Sequence, residues 1–167
     1  MSANVLNYTD QGGAADHVGG TLDIESGGTA TVKSGAQLNI RGQKFEAQGA
    51  PTVKTAANTL TIAELLTRII TATPTATGAT AAYTLPTGAL IDAGVTMEVG
   101  DSFDWTIINS ALAAADTITI TADTGHTIVG GAIVQSLHAS TGGITGYSAT
   151  YRTRKTAADT FVSYRIA

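Results

Sequence analysis

The chain has no cysteine, so no disulfide frame and no thiol chemistry can support it. Lysine and arginine are missing between Arg68 and Arg152, a stretch that still carries Asp92, Glu98, Asp101, Asp104, Asp116 and Asp123. With a formal net charge of -4, a general nucleic-acid binder is excluded as the expectation. No apolar run is long enough to cross a bilayer, and no charged-then-apolar N-terminal segment resembles a signal peptide. The expectation is a product made in the cytoplasm, with no membrane partner. Aromatic residues make up only 5%, poor material for a sugar cleft.

Catalytic signatures are also missing. His17, His126 and His138 are scattered, with no metal-ligand spacing among them. No G-x-S-x-G elbow and no P-loop occurs. Asp92 with Glu98, or Asp101 with Asp104, pair only on paper, and Asp116, Asp123 and Thr124 read as turn residues. We therefore assign no catalytic residue, no cofactor and no metal site, and read the chain as a non-enzyme.

What is plentiful is threonine, about one residue in six of the 167. Threonine is β-branched and polar, so it suits a solvated strand face without adding charge. The hydrophobic share of 43% against 13% charged residues speaks for a folded body. Sparse charge with abundant threonine indicates an all-β protein many of whose faces meet other protein surfaces.

The organising stretch is Asp101-Ser-Phe-Asp-Trp-Thr-Ile-Ile-Asn109, which holds the only tryptophan. Alternation places Phe103, Trp105 and Ile107 on one strand face. In Thr117-Ile-Thr-Ile-Thr121, Ile118 and Ile120 alternate with threonine in the same way. These five are the core candidates, and the two strands read as the centre of an antiparallel core.

Met1 to Val18 is polar and glycine-containing, with Val5, Leu6 and Tyr8 as its sizeable apolar groups. It reads as an extended arm, or as a loose terminus. Over residues 19–44 a repeat of about eight residues follows, with inward pairs Leu22/Ile24, Ala30/Val32 and Leu38/Ile40. Three such rungs bury little, so they read as a stem completed by other chains, or as a meander on the main domain. Residues 45–58 read as a linker, and 59–167 as a jelly-roll or β-sandwich domain with one short helix.

That helix begins at the capping box Thr61-Ile-Ala-Glu64, with Ile62, Leu65, Leu66 and Ile69 as its apolar stripe. Thr87 caps what reads as a single further helical turn. About eight short strands follow at spacings near ten residues. In the last of them the expected inward set is Val162, Tyr164 and Ile166.

Several stretches together resemble the head decoration (cement) proteins of tailed bacteriophages. They are Val5-Leu-Asn-Tyr-Thr-Asp-Gln-Gly-Gly13, Gly19-Gly-Thr-Leu-Asp-Ile-Glu-Ser-Gly-Gly28, Ala63-Glu-Leu-Leu66, Tyr83-Thr-Leu-Pro-Thr-Gly88, the Val99–Asn109 block, and the ending Tyr151-Arg-Thr-Arg-Lys155 with Thr160-Phe-Val-Ser-Tyr-Arg-Ile166. The resemblance implies a structural protein of the virion, bound as a homotrimer to the major capsid protein on the outside of the expanded head. Val5, Leu6 and Tyr8 are then the capsid-contact candidates. The alternative is a fibre or spike component that binds a host surface receptor.

Overall fold

The computed structural model describes residues 7–9, 16–18, 47–74, 80–111, 116–136 and 147–167. The chain divides into two compact units, Met1–Phe45 and Glu46–Ala167. In the first, β1 (Asn7–Thr9) and β2 (Asp16–Val18) pair antiparallel, with Tyr8 opposite His17. The described part of the expected arm is thus a two-stranded ladder, because strands this close can satisfy each other's backbone groups. Val5, Leu6 and the repeat over residues 19–44 lie outside the described residues.

The second unit is a two-layer β-sandwich. In chain order it runs β3 (Thr52–Lys54), β4 (Asn58–Thr59), α1 (Ile62–Leu66), β5 (Ile69–Ala72), β6 (Thr80–Thr84), α2 (Gly88–Gly94), β7 (Ser102–Asn109), β8 (Thr117–Thr121), β9 (His126–Val129), β10 (Ile133–Gln135), β11 (Ser148–Ala157) and β12 (Thr160–Arg165). A six-stranded sheet has the order β3-β5-β7-β11-β12-β9, and a four-stranded sheet the order β10-β8-β6-β4. The single helical turn expected after Thr87 is the seven-residue helix α2, whose cap, Thr87 Oγ1, accepts from the Leu90 amide at 3.3 Å. The stretch read as a linker supplies β3 and the start of β4, edge strands of the two sheets.

From β3 to β8 each strand enters the sheet opposite its predecessor, so alternate strands become neighbours running the same way. The antiparallel pairing expected of β7 and β8 does not form. β7 lies between β5 and β11, whereas β8 lies between β6 and β10 in the other layer. Alternation of apolar residues marks a buried face but does not say which strand lies alongside. Trp105 and Ile107 reach Ile118 and Ile120 across the interior rather than along a ladder, within a core that includes Leu60, Tyr83 and Tyr151. Trp105 stacks on Tyr151, its register partner on β11, with ring centroids 4.8 Å apart. Phe103 only packs against the margin of this core.

The helix α1 keeps its capping box: Thr61 Oγ1 accepts from the Glu64 amide at 3.3 Å, and Glu64 accepts from the Thr61 amide at 2.8 Å. It stops at Leu66 because Arg68 takes a left-handed φ of 65° and turns the chain into β5. Ile69 therefore leads a strand rather than completing the helical stripe.

One strand face is the reverse of the expected one. Phe161 and Ser163 of β12 are fully buried, while Tyr164 and Ile166 stand 37% and 50% exposed. Register is the cause: Thr153, buried on β11, faces Ser163, so Tyr164 falls opposite Arg152 on the outside.

Candidate functional site

The sandwich contains a line of buried polar groups. Trp105 Nε1 donates to Thr153 Oγ1 at 2.9 Å, Thr153 Oγ1 lies 2.7 Å from Ser163 Oγ, and Ser163 Oγ lies 2.8 Å from His126 Nε2. At the far end His126 Nδ1 lies 3.2 Å from the Pro86 carbonyl. A carbonyl only accepts, so Nδ1 carries the proton and Nε2 is the acceptor in the neutral ring. Ser163 therefore donates to His126, and Thr153 donates to Ser163. Every link then points from the tryptophan towards the histidine.

Burial holds the His126 pKa below its usual value, and the Pro86 carbonyl opposes that shift. A serine beside a histidine also occurs in nucleophilic catalysis, yet Ser163 is fully buried and His126 nearly so. The arrangement does a structural job: it locks β7, β11, β12 and β9 together and satisfies groups that are costly to bury unpaired. Single-sequence reading missed it because Thr153 and Ser163 fall on the apolar side of otherwise ordinary strands. The only sequence signal is their matching place in the alternation.

A second polar clamp joins the layers. Asn109 Nδ2 donates to the carbonyls of Asp116 and Val134 at 3.1 and 3.2 Å, and its Oδ1 accepts from the Ala111 amide at 3.1 Å. Asn109 is the last residue of β7. It also ties the end of β7 to β8 and β10. A third set closes the end near α2, where Asp92 accepts from the Asp159 amide at 2.9 Å and pairs with Lys155. The Asp159 amide first, and Lys155 next, hold the Asp92 carboxyl below its usual range. Lys155 also donates to the Met97 carbonyl at 3.0 Å.

The carboxylates of the β7 end have other partners. Asp101 accepts from the Glu98 amide at 2.9 Å across a tight turn, and Asp104 is taken up by Arg152 in a two-pronged contact of 2.7 and 2.8 Å. Arg152 is the main reason the Asp104 pKa is lowered. At α1, burial works against the Glu64 charge, but Lys54 and the Thr61 amide outweigh it and the pKa falls. Among the described residues, no three His, Asp or Glu side chains gather as a metal site would require.

The two outer faces differ in charge: that of the six-stranded sheet carries Asp104, Arg152 and Arg154. On the four-stranded sheet, Thr80, Ala82 and Thr84 run beside Thr117, Thr119 and Thr121, and β10 adds Ile133 and Gln135. Hydroxyl pairs Thr80–Thr117 and Thr84–Thr121, each at 2.9 Å, cross-link this face, which includes no ionisable side chain. On the six-stranded sheet Thr106 and Thr150 pair at 3.0 Å next to the Asp104–Arg152 couple. Of the capsid-contact candidates, Tyr8 lies in β1, and Val5 and Leu6 fall outside the described residues.

No family model, curated protein or solved structure matches this chain. Among the described residues, no helix is long and apolar enough to cross a membrane.

Proposed function

We propose that this chain is a head decoration protein of a tailed bacteriophage, a non-enzymatic structural protein on the outside of the capsid. It binds the major capsid protein as a homotrimer and stabilises the expanded head. The observation that supports this reading is the outer face of the four-stranded sheet, which carries no ionisable side chain along its strands. Its threonine hydroxyls pair with each other. Such a surface suits lasting contact with protein better than free solution, since little charge must be stripped of water when it is covered. In this reading the sandwich is a variant of the jelly roll, in which part of the ladder runs parallel.

The mechanism is linkage. A ligand that binds only the expanded shell stabilises it by RT ln(1 + [L]/Kd), about 2.7 kcal/mol per site at a hundredfold excess over Kd. Repetition over a symmetric lattice multiplies that term. Residues 1–18 are the proposed attachment segment, three copies acting together where one would bind weakly.

The test is co-sedimentation with undecorated expanded heads, for the full chain and for a form lacking residues 1–18. The full chain should bind and raise the temperature at which heads rupture, and the shortened form should stay folded without binding. Failure of the full chain to bind refutes the decoration role. Binding instead to host cells or their surface glycans would establish the receptor-binding alternative. Equal binding by the shortened form would move attachment to the sandwich.

A further inference from the structure

The buried line from Trp105 to His126 has no room for another hydrogen. Its three gaps run from Trp105 Nε1 to Thr153 Oγ1, on to Ser163 Oγ, and on to His126 Nε2. Three hydrogens fill them, one from the indole and one from each hydroxyl. The indole nitrogen only donates, so the order cannot be reversed from that end. A proton added to Nε2 is a fourth hydrogen without a gap. If Ser163 turns to accept it, the Ser163 hydrogen meets that of Thr153. One donor is then left without an acceptor beside a buried charge, and both are costly. The other ring nitrogen gives no relief, since it already donates to the Pro86 carbonyl at 3.2 Å.

The ring stands where several elements are held by few bonds. Among the described residues β9 is an edge strand, paired on one side with β12. The turn before it closes through the His126 amide on the Asp123 carbonyl at 2.9 Å. Two carbonyls of that turn hold other elements: Gly125 accepts from the Phe161 amide at 2.8 Å, and Thr124 from the Gly88 amide at 2.9 Å. Gly88 and Gly125 both close on the Asp159 carbonyl oxygen, which a Cβ would meet at 1.9 and 2.3 Å. The start of β9, the start of α2 and the β11–β12 hairpin thus converge, and the His126 ring ties β9 to β12 and to Pro86.

We propose that His126 is an acid-operated latch: on taking up a proton the ring leaves its place, and β9 with the 123–125 turn comes away from β12 and α2 while the rest of the sandwich stays folded. The latch stands whether or not the chain decorates heads. The charged groups on the surrounding elements do not hold a proton on the ring, whose two nitrogens are taken by Ser163 and Pro86. In its own turn, Asp123 is exposed and accepts from the Thr124 amide at 2.7 Å. Asp159 of the hairpin is exposed, and Asp92 of α2 is engaged by the Asp159 amide and by Lys155 of β11.

The sign follows from burial. In place, the ring titrates below its ordinary value of 6.5, and once released it returns to that value. The open form therefore binds the proton more readily. Opening increases as pH falls through about 6.5, by up to about tenfold per pH unit, until the latched ring itself titrates. Asp92 adds nothing in this window, because the Asp159 amide and Lys155 hold its carboxyl below the usual range.

The experiment is amide hydrogen exchange of the full chain by NMR at pH 7.5 and 5.5, each rate divided by the intrinsic rate at that pH. The Gly88, His126 and Phe161 amides are the reporters, and those of β7 and β8 the reference. Reporters should exchange at least about tenfold faster than the reference and ignore low urea, the mark of a local opening. Their protection should fall about fivefold to tenfold between the two pH values. His126→Gln, which takes no proton, should lose that fall. Nitrogen shifts of the His126 ring in the unaltered protein are a second measurement, and should show Nε2 bare at pH 7.5 with titration below 6.5. Reporters as protected as the reference overturn the latch, as does protection that ignores pH. A fall retained in His126→Gln, or an Nε2 already protonated at pH 7.5, overturns it equally.

Discussion

Replacing Ser163 with alanine should be among the costliest small changes available in this protein. The side chain loses one oxygen, so almost no volume is removed. That oxygen, however, accepts from Thr153 at 2.7 Å and donates to His126 Nε2 at 2.8 Å, and all three residues lie inside. Without it, the Thr153 hydroxyl has no acceptor in the line and the His126 ring has no donor. Each buried group left unpaired costs about 1–3 kcal/mol, so a total near 3 kcal/mol is expected after some relaxation. For a domain of this size that lowers the melting temperature by about 10 °C.

The assay is thermal and urea unfolding followed by Trp105 fluorescence at pH 7.5. A loss below about 1 kcal/mol would refute the continuous hydrogen-bonded line. The same line sets a pH dependence. His126 titrates lower in the folded chain than its ordinary value of 6.5, so the unfolded chain takes up the proton first. The stability it contributes is complete above the unfolded value and is lost as pH falls below it. His126→Gln should flatten the stability curve between about pH 7 and 5, ahead of the carboxylate losses at lower pH. An unaltered protein equally stable across that window would contradict the neutral, Nδ1-protonated ring.

Three further substitutions probe other parts of the fold. Tyr83→Phe should leave urea stability unchanged or raise it by up to about 1 kcal/mol, because the buried Tyr83 hydroxyl has no hydrogen-bond partner among the described residues; a clear loss would mean that the hydroxyl has a partner in solution. Asn109→Ala should cost about 2–4 kcal/mol in the same measurement, since three buried contacts between the layers disappear together. Gly88→Ala should prevent folding or cost more than about 3 kcal/mol, because a Cβ there would sit 1.9 Å from the Asp159 carbonyl oxygen. Soluble Gly88→Ala protein with normal melting would show that the α2 end is looser than described.

Local features were legible in the residues alone. Thr61 and Glu64 stand three apart before an apolar run, which is enough to start α1, and the Thr87 side chain alone caps α2. The alternation in Thr117–Thr121 assigns Ile118 and Ile120 to one face, and that face is buried. Such signals depend on neighbours a few residues apart, so the chain declares them directly. Pairing between distant strands is different. Alternation is the same whether a strand lies parallel or antiparallel to its neighbour, so it could not reveal the coil from β3 to β8 or place β7 and β8 in separate layers. Nor could it choose the inner face of β12, where hydrophobicity alone favours Val162, Tyr164 and Ile166. Tertiary structure turned Ser163 inward, where its hydroxyl accepts from Thr153 and donates to His126, and that hydrogen bonding, with Phe161 filling the core beside it, left the other apolar side chains outside.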